Sequence, residues 1–304
     1  MSNKPLVIVL LSTYNGERFL REQIDSILKQ KNVDVRLFVR DDGSSDSTIS
    51  ILEEYQNHGY LSFYTGENKR PAQSFMDLVY SSPDAPYYAF CDQDDYWIDD
   101  KLEIAVNKLE REDKDIPCLY YGMPRIVDEK LCILQPQPKT SETMTTFESC
   151  LVNSKATGCT MVFNEKLASI LKLAKPDYVL MHDAWVHKVC LALEGKVIFD
   201  PDVHILYRQH NGNVVGAPKN LREKLDLYLN EFKKADQMRS RCIKSLVESY
   251  GNLMTPEKLE EAKIVAYYRD SISKTMRLLF NKRIKTNYWK RNVMYKGAVL
   301  FRRF

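Results

Sequence analysis

Three clusters of acidic and small polar residues stand out in the first hundred positions: Thr13-Tyr14-Asn15-Gly16-Glu17, Asp41-Asp42-Gly43-Ser44-Ser45-Asp46 and Asp92-Gln93-Asp94-Asp95. Alternate carboxylates at the end of an extended segment project to one side, so Asp92 and Asp94 can share an ion. Hard oxygen ligands suit Mg²⁺ or Mn²⁺, which commonly complete their shells with substrate phosphates. A carboxylate at Asp41 or Asp42 can accept the N3–H of uracil or thymine. Thr13, Tyr14 and Asn15 offer stacking and hydrogen bonds to a nucleoside. Each cluster is ambiguous alone, since D-x-D also reads as an acidic turn and Asp-Gly as a tight bend.

The elements that carry these clusters remove much of the ambiguity. Leu6–Leu11 is a continuous aliphatic run, as expected of a strand buried on both faces. Leu20, Ile24, Ile27 and Leu28 follow at helical spacing. Val35–Val39, Leu61–Tyr64 and Tyr87–Cys91 read as further strands. Helices are expected around Ile51, Leu52 and Tyr55, with Ser45-Asp46-Ser47 as the cap, and around Phe75–Val79. Strand alternating with helix at this pitch predicts an α/β fold with a mostly parallel central sheet flanked by helices. Ligands in such sheets gather beyond the carboxyl ends of the strands, where all three polar clusters fall. Carboxylates gathered there repel one another unless a cation or hydrogen-bond donors compensate. Residues 101–112 read as a helix, Cys118–Leu134 as β structure, and Gly158–Phe163 and Lys196–Phe199 as later strands. No G-x-G-x-x-G follows the first strand and no P-loop occurs, which argues against a dehydrogenase, a kinase or an NTPase.

The segments LLSTYNGERFL, RDDGSSDST, FCDQDDYW, HDAW and YRQHNGNVVG, in that order over about residues 5–216, resemble the family 2 glycosyltransferases of GT-A fold. Within them the similarity is to bacterial rhamnosyltransferases. The resemblance implies a donor pocket lined by Thr13, Tyr14, Asn15, Glu17 and Gln93, with Asp41, or else Asp42, reading the pyrimidine. It implies a D-x-D of Asp92 and Asp94 that binds ribose and metal, with His210 completing the metal shell. Arg208 would meet the diphosphate as a bidentate cation. On the acceptor side it places Thr157, Gly158, His182 and Trp185, with Asp183 as catalytic base. The implied reaction is an inverting transfer of a sugar, L-rhamnose from dTDP-rhamnose, to a glycan or lipid-linked glycan, as in bacterial surface polysaccharide synthesis. UDP-hexose or UDP-N-acetylhexosamine donors, or a catalytically silent nucleotide-sugar binding scaffold, are the alternatives.

The chain has 304 residues, 44% of them hydrophobic and 28% charged, which suits one or two ordinary globular domains. A GT-A domain is expected over residues 1–218 and a helical, basic region over 219–304. Leu6–Leu11 is too short for a signal-peptide core, so a cytoplasmic location is expected. The seven cysteines include no C-x-x-C pair and read as reduced core residues. Charge is lopsided: residues 263–304 hold 12 Lys and Arg against the single acid Asp270, a net +11 that leaves −8 for the rest. Aromatic residues such as Tyr288, Trp289 and Phe301 are interleaved with that charge. The mixture suits the surface of an anionic membrane or an oligomer contact, whereas nucleic-acid binding has no motif beyond charge.

Overall fold

The computed structural model describes residues 4–136, 146–210 and 238–304. The aliphatic run at the start becomes β1 (Leu6–Thr13), which lies inside a seven-stranded sheet. It pairs in parallel with β2 (Asp34–Asp41) and β4 (Tyr87–Cys91), and β2 pairs in parallel with β3 (Leu61–Thr65). Side chains alternate between faces along a strand. Accordingly Val7, Val9 and Leu11 join the core on one side of the sheet, while Ile8 and Leu10 join the core on the other. Helices α1 (Leu20–Leu28) and α2 (Thr48–Asn57) and the later α4 (Lys101–Leu109) cover the first side. Helix α3 (Arg70–Ser81) covers the second, with α5 (Phe147–Val152), α6 (Glu165–Lys172) and α7 (His182–Ala192).

Beyond β4 a single strand runs against the others. Strand β8 (Val162–Asn164) runs antiparallel to β4 and to β6 (Cys118–Gly122), and β9 (Lys196–Asp200) then pairs in parallel with β6. The reversal has a functional result. An antiparallel strand brings its amino end to the place where its neighbours bring their carboxyl ends, so the segment just before β8 abuts the loop after β4. That segment, Gly158–Thr160, is a 3₁₀ turn, and the strand expected over Gly158–Phe163 begins only at Val162. Helix α4 likewise ends at Leu109, short of the 112 expected.

A second sheet of three short strands orders β5 (Tyr96–Trp97), β10 (Ile205–Arg208) and β7 (Arg125–Val127). Strand β10 lies between the other two, antiparallel to β5 and parallel to β7. Among the described residues, four further helices follow, Met238–Tyr250, Pro256–Ala266, Ile272–Leu279 and Trp289–Leu300. Pro256 opens its helix at a position that needs no N–H, and the hydroxyl of Thr255 accepts from the Lys258 N–H. Ile243, Leu246, Tyr250, Val265 and Tyr268 belong to the same core cluster as Leu10 and Trp185, so these helices pack on the body of the molecule. The expected division at 218/219, like the end of the YRQHNGNVVG segment, lies outside the described residues.

Candidate active site

The first two polar clusters are locked together by their own hydrogen bonds. Asn15 takes a left-handed conformation, φ 48°, which asparagine tolerates, and its carboxamide oxygen accepts from the Ser45 N–H at 2.8 Å. The Asn15 N–H donates to Ser44 Oγ and the Gly16 N–H to Thr48 Oγ1. Glu17 accepts from the Ser47 N–H while its own N–H donates to Asp46. Gln93 reaches across from the third cluster: its carbonyl accepts from the Tyr14 N–H at 2.8 Å and its NH₂ donates to the Tyr14 carbonyl at 3.1 Å. Gly16 leaves room for that clasp, since a Cβ there would lie 2.4 Å from Gln93 Oε1. Among the residues expected at the nucleoside, the aromatic ring of Tyr14 is left exposed.

The two carboxylates after β2 are both buried but differ in how they are used. Asp41 accepts four hydrogen bonds, from Thr13 Oγ1, Ser44 Oγ and the N–H groups of Gly43 and Ser44, at 2.5–3.0 Å. A carboxylate has about four lone-pair sites, so Asp41 is saturated. Asp42 pairs with the buried guanidinium of Arg40 and accepts from the Lys69 N–H at 3.1 Å, which leaves it acceptor capacity. Arg40 is a residue that the sequence reading passed over. A buried arginine on a central strand needs carboxylates beside it, and it has both Asp42 and Asp77.

Around the third cluster the site draws in residues from more than a hundred positions away. His210 Nε2 lies 2.7 Å from Asp94 Oδ2. Strand β10 makes this happen, because its partner β5 begins two residues after Asp94. Arg208 is buried, and its guanidinium donates to the carbonyls of Asp94 and Glu129 and to the carboxylate of Glu22. Its own N–H donates to Asp95 at 3.1 Å. The structure thus places Arg208 as the bolt that holds the acidic loop, with its fork already occupied. Beneath lie the buried Asp95, Cys159 and Lys101, another residue not singled out in the sequence. Burial pushes Lys101 down to about 8, and burial with the charges of Asp92 and Asp94 pushes Asp95 well up.

Ligand atoms of Asp92, Asp95 and Cys159 lie within 4.8 Å of one another. Burial pushes the Cys159 thiol well above its usual range, so it keeps its proton and is a poor ligand for a hard cation. The harder donors at this loop are the carboxylates of Asp92 and Asp94, with the His210 imidazole 2.7 Å from Asp94. Asp92 is held up at about 7 by burial first and then by the charges of Asp94 and Asp183. Mutual repulsion of that kind is what a divalent ion relieves.

Asp183 borders the same loop through the Gly158–Thr160 turn, its Cβ 3.5 Å from where a Cβ on Gly158 would stand. It lies in the first turn of α7, half-buried, and accepts from the Ala184 N–H at 2.5 Å. The other residues expected on the acceptor side are placed differently. Thr157 is half-buried, while Trp185 is fully buried in the core beside Tyr250. His182 is buried too, stacked on Phe75 at 4.0 Å and edge-on to Phe90 at 4.9 Å, and burial lowers it to about 4. A Cβ on Gly158 would lie 2.5 Å from His182 Nε2 and 3.5 Å from the Asp183 Cβ. The pinned imidazole has nowhere to go, so Gly158→Ala should cost about 1–3 kcal/mol, the usual scale of overpacking. A melting temperature within a degree of wild type would show that the turn yields freely.

Comparison with known proteins adds three findings. The profile of Glycosyl transferase family 2 matches residues 8–169. The dTDP-rhamnosyl transferase RfbG of Shigella flexneri is 26% identical over 268 residues, covering 81% of this chain and 85% of the relative. Among solved structures, S. aureus TarS 1-349 in complex with UDP-GlcNAc superposes with a TM-score of 0.56 at 17% identity, over 96% of this chain and 90% of that one. The mannosyltransferase PcManGT from Pyrobaculum calidifontis, in complex with GDP-Man and Mn²⁺, gives 0.55 at 17% identity, over 99% and 88%.

Proposed function

The chain belongs to glycosyl transferase family 2, and from that premise we propose that it moves L-rhamnose from dTDP-rhamnose onto a hydroxyl of a glycan, free or lipid-linked, with inversion. One observation carries the reading of the site: the Gly158–Thr160 turn, which abuts the loop after β4 that carries Asp92 and Asp94, also packs against Asp183. The choice of rhamnose is supported by the likeness to RfbG along most of both chains.

In this reading the base of the donor stacks on Tyr14. Its N3–H is accepted by Asp42, which keeps lone pairs free, whereas Asp41 serves to shape the turn that presents it. Thr13, Asn15, Glu17 and Gln93 fix that pocket through the bonds described above. Asp92, Asp94 and His210 would hold a Mg²⁺ or Mn²⁺ ion, which when bound neutralises negative charge on the diphosphate. Arg208 keeps the Asp94 backbone and His210 in register. At the other side of the crevice, Asp183 accepts the proton of the acceptor hydroxyl as its oxygen bonds to the anomeric carbon. The bond from that carbon to the diphosphate oxygen breaks on the opposite face, and nucleoside diphosphate leaves. A single displacement with one base gives inversion, with no carboxylate nucleophile of the kind retaining glycosidases use.

A pH dependence follows. With its carboxyl raised to about 7 in the folded chain, Asp92 contributes stability that is complete below the unfolded value near 4 and is lost as pH rises through 7. A metal ion needs the carboxylate, so binding expels that proton. Apparent Mn²⁺ affinity, read from thermal shifts, should therefore climb about tenfold per pH unit up to about pH 7 and then level off. A flat profile from pH 5.5 to 7.5 removes Asp92 from the ligand set. The donor is tested by offering dTDP-rhamnose, UDP-glucose, UDP-galactose and UDP-N-acetylglucosamine with Mn²⁺ and measuring stabilisation and released nucleoside diphosphate. Preference for a UDP sugar overturns the rhamnose assignment.

A further inference from the structure

Sequence patterning and exposure disagree most sharply in the last two helices. Helix Ile272–Leu279 buries Thr275 and Leu278, and helix Trp289–Leu300 buries Tyr295, Ala298 and Val299. Both helices are thus anchored to the body by one face. Yet Ile272, Met276 and Phe280, at every fourth position, are exposed, and so are Trp289, Val293 and Leu300. Aliphatic and aromatic side chains at that spacing form a second apolar stripe on the outward face of each helix. A soluble monomer does not usually display a contiguous patch of this kind without a use for it.

The charge around the stripes decides between occupants. Residues 271–304 contain ten Lys and Arg and no Asp or Glu. Lys274, Arg277 and Arg283 pair with acids from other segments. Lys282, Lys285, Lys290, Arg291 and Lys296 form no ion pair with the described residues. A second copy of this face would set like charge against like, and a nucleic acid has no use for the aliphatic stripes. A bilayer with anionic headgroups matches both features, taking the apolar side chains below the phosphates and the cations among them. No helix among the described residues is long and apolar enough to cross a membrane. The contact would therefore lie in the interface.

The face also connects to the acceptor side. Tyr288 lies under the Lys155 ammonium at 4.9 Å, and a cleft lined by Asn153, Lys155, Tyr288 and Arg291 runs between the two segments. Lys155 is two residues from Thr157. We propose that the outward face of residues 272–300 docks the protein on an anionic membrane surface, with the acceptor loop beside the headgroups. This inference does not depend on which sugar is carried.

The full chain reports on itself. Of its three tryptophans, Trp97 and Trp185 are 1% and 0% exposed while Trp289 is 71% exposed. Adding vesicles of phosphatidylcholine with phosphatidylglycerol should shift emission to the blue and carry the protein upward in a flotation gradient. Phosphatidylcholine alone should bind at least tenfold more weakly. Phe280→Ser with Val293→Ser, and separately Lys290→Glu with Lys296→Glu, should each lower partition at least tenfold with an unchanged melting temperature. Wild-type protein that stays at the bottom of the gradient with anionic vesicles overturns the proposal. So does a dimer that those same substitutions dissociate while vesicle binding is absent.

Discussion

Replacing Asp183 by Asn lowers kcat by ~10²–10⁴, the scale of a lost general base, and leaves the fold intact. The geometry makes the substitution clean. Asn is close to isosteric, and its carboxamide oxygen can still accept the Ala184 N–H that Asp183 Oδ1 accepts now. What it cannot do is take the acceptor's proton. A second readout follows from the charge balance of the site. Burial comes first in raising Asp92 to about 7, and Asp183 is one of the two charges that add to it, so its neutralisation should move the rise of Mn²⁺ affinity toward lower pH. A residue that merely propped up α7 would leave that profile where it is. Turnover close to wild type in Asp183→Asn removes this residue from the chemistry.

Asp94→Asn should be of similar size for a different reason. Charge stabilisation by a metal is worth several kcal/mol, or ~10²–10⁴ in kcat/KM. The backbone hold on the loop survives the change, because Arg208 grips the Asp94 carbonyl and not its carboxylate. The Mn²⁺-induced thermal shift should disappear along with activity, and EDTA should reduce the wild type to the level of the variant while reducing the variant no further. Groups that act as one unit lose their effect once, not twice. Wild-type protein that works at full rate in EDTA refutes the metal reading.

Much of the framework could be read from the chain because it rests on local pattern. Leu6–Leu11 and Tyr87–Cys91 are apolar throughout, and strands covered on both faces require that. The polar residues that follow them fell at one edge of the sheet, as parallel topology demands. Two strands of the second sheet were invisible for the opposite reason, while the third, β7, fell inside the β structure expected over Cys118–Leu134. Tyr96–Trp97 has two residues and Ile205–Arg208 four, too few to show a period, and they are defined only by partners distant in sequence. Roles within the site were equally hidden. Asp41 draws three of its four bonds from the adjacent Gly43 and Ser44, but its fourth partner, Thr13, and the Lys69 N–H that meets Asp42 lie 28 and 27 positions away, beyond the reach of local pattern. In the C-terminal helices, Tyr295 and Trp289 look alike in sequence, but only one faces the core.

The central place of β10 also bears on how the protein is made. Strands on either side of it are complete once residue 127 has been synthesised, yet the element that joins them ends at Arg208. A chain emerging from the ribosome amino end first therefore carries Asp94 and Asp95 for more than a hundred residues of translation without the cation that ties their loop. Capacity to capture a metal ion should then arrive in one late step of biogenesis, when residues 205–210 slot between two strands that have been waiting for them.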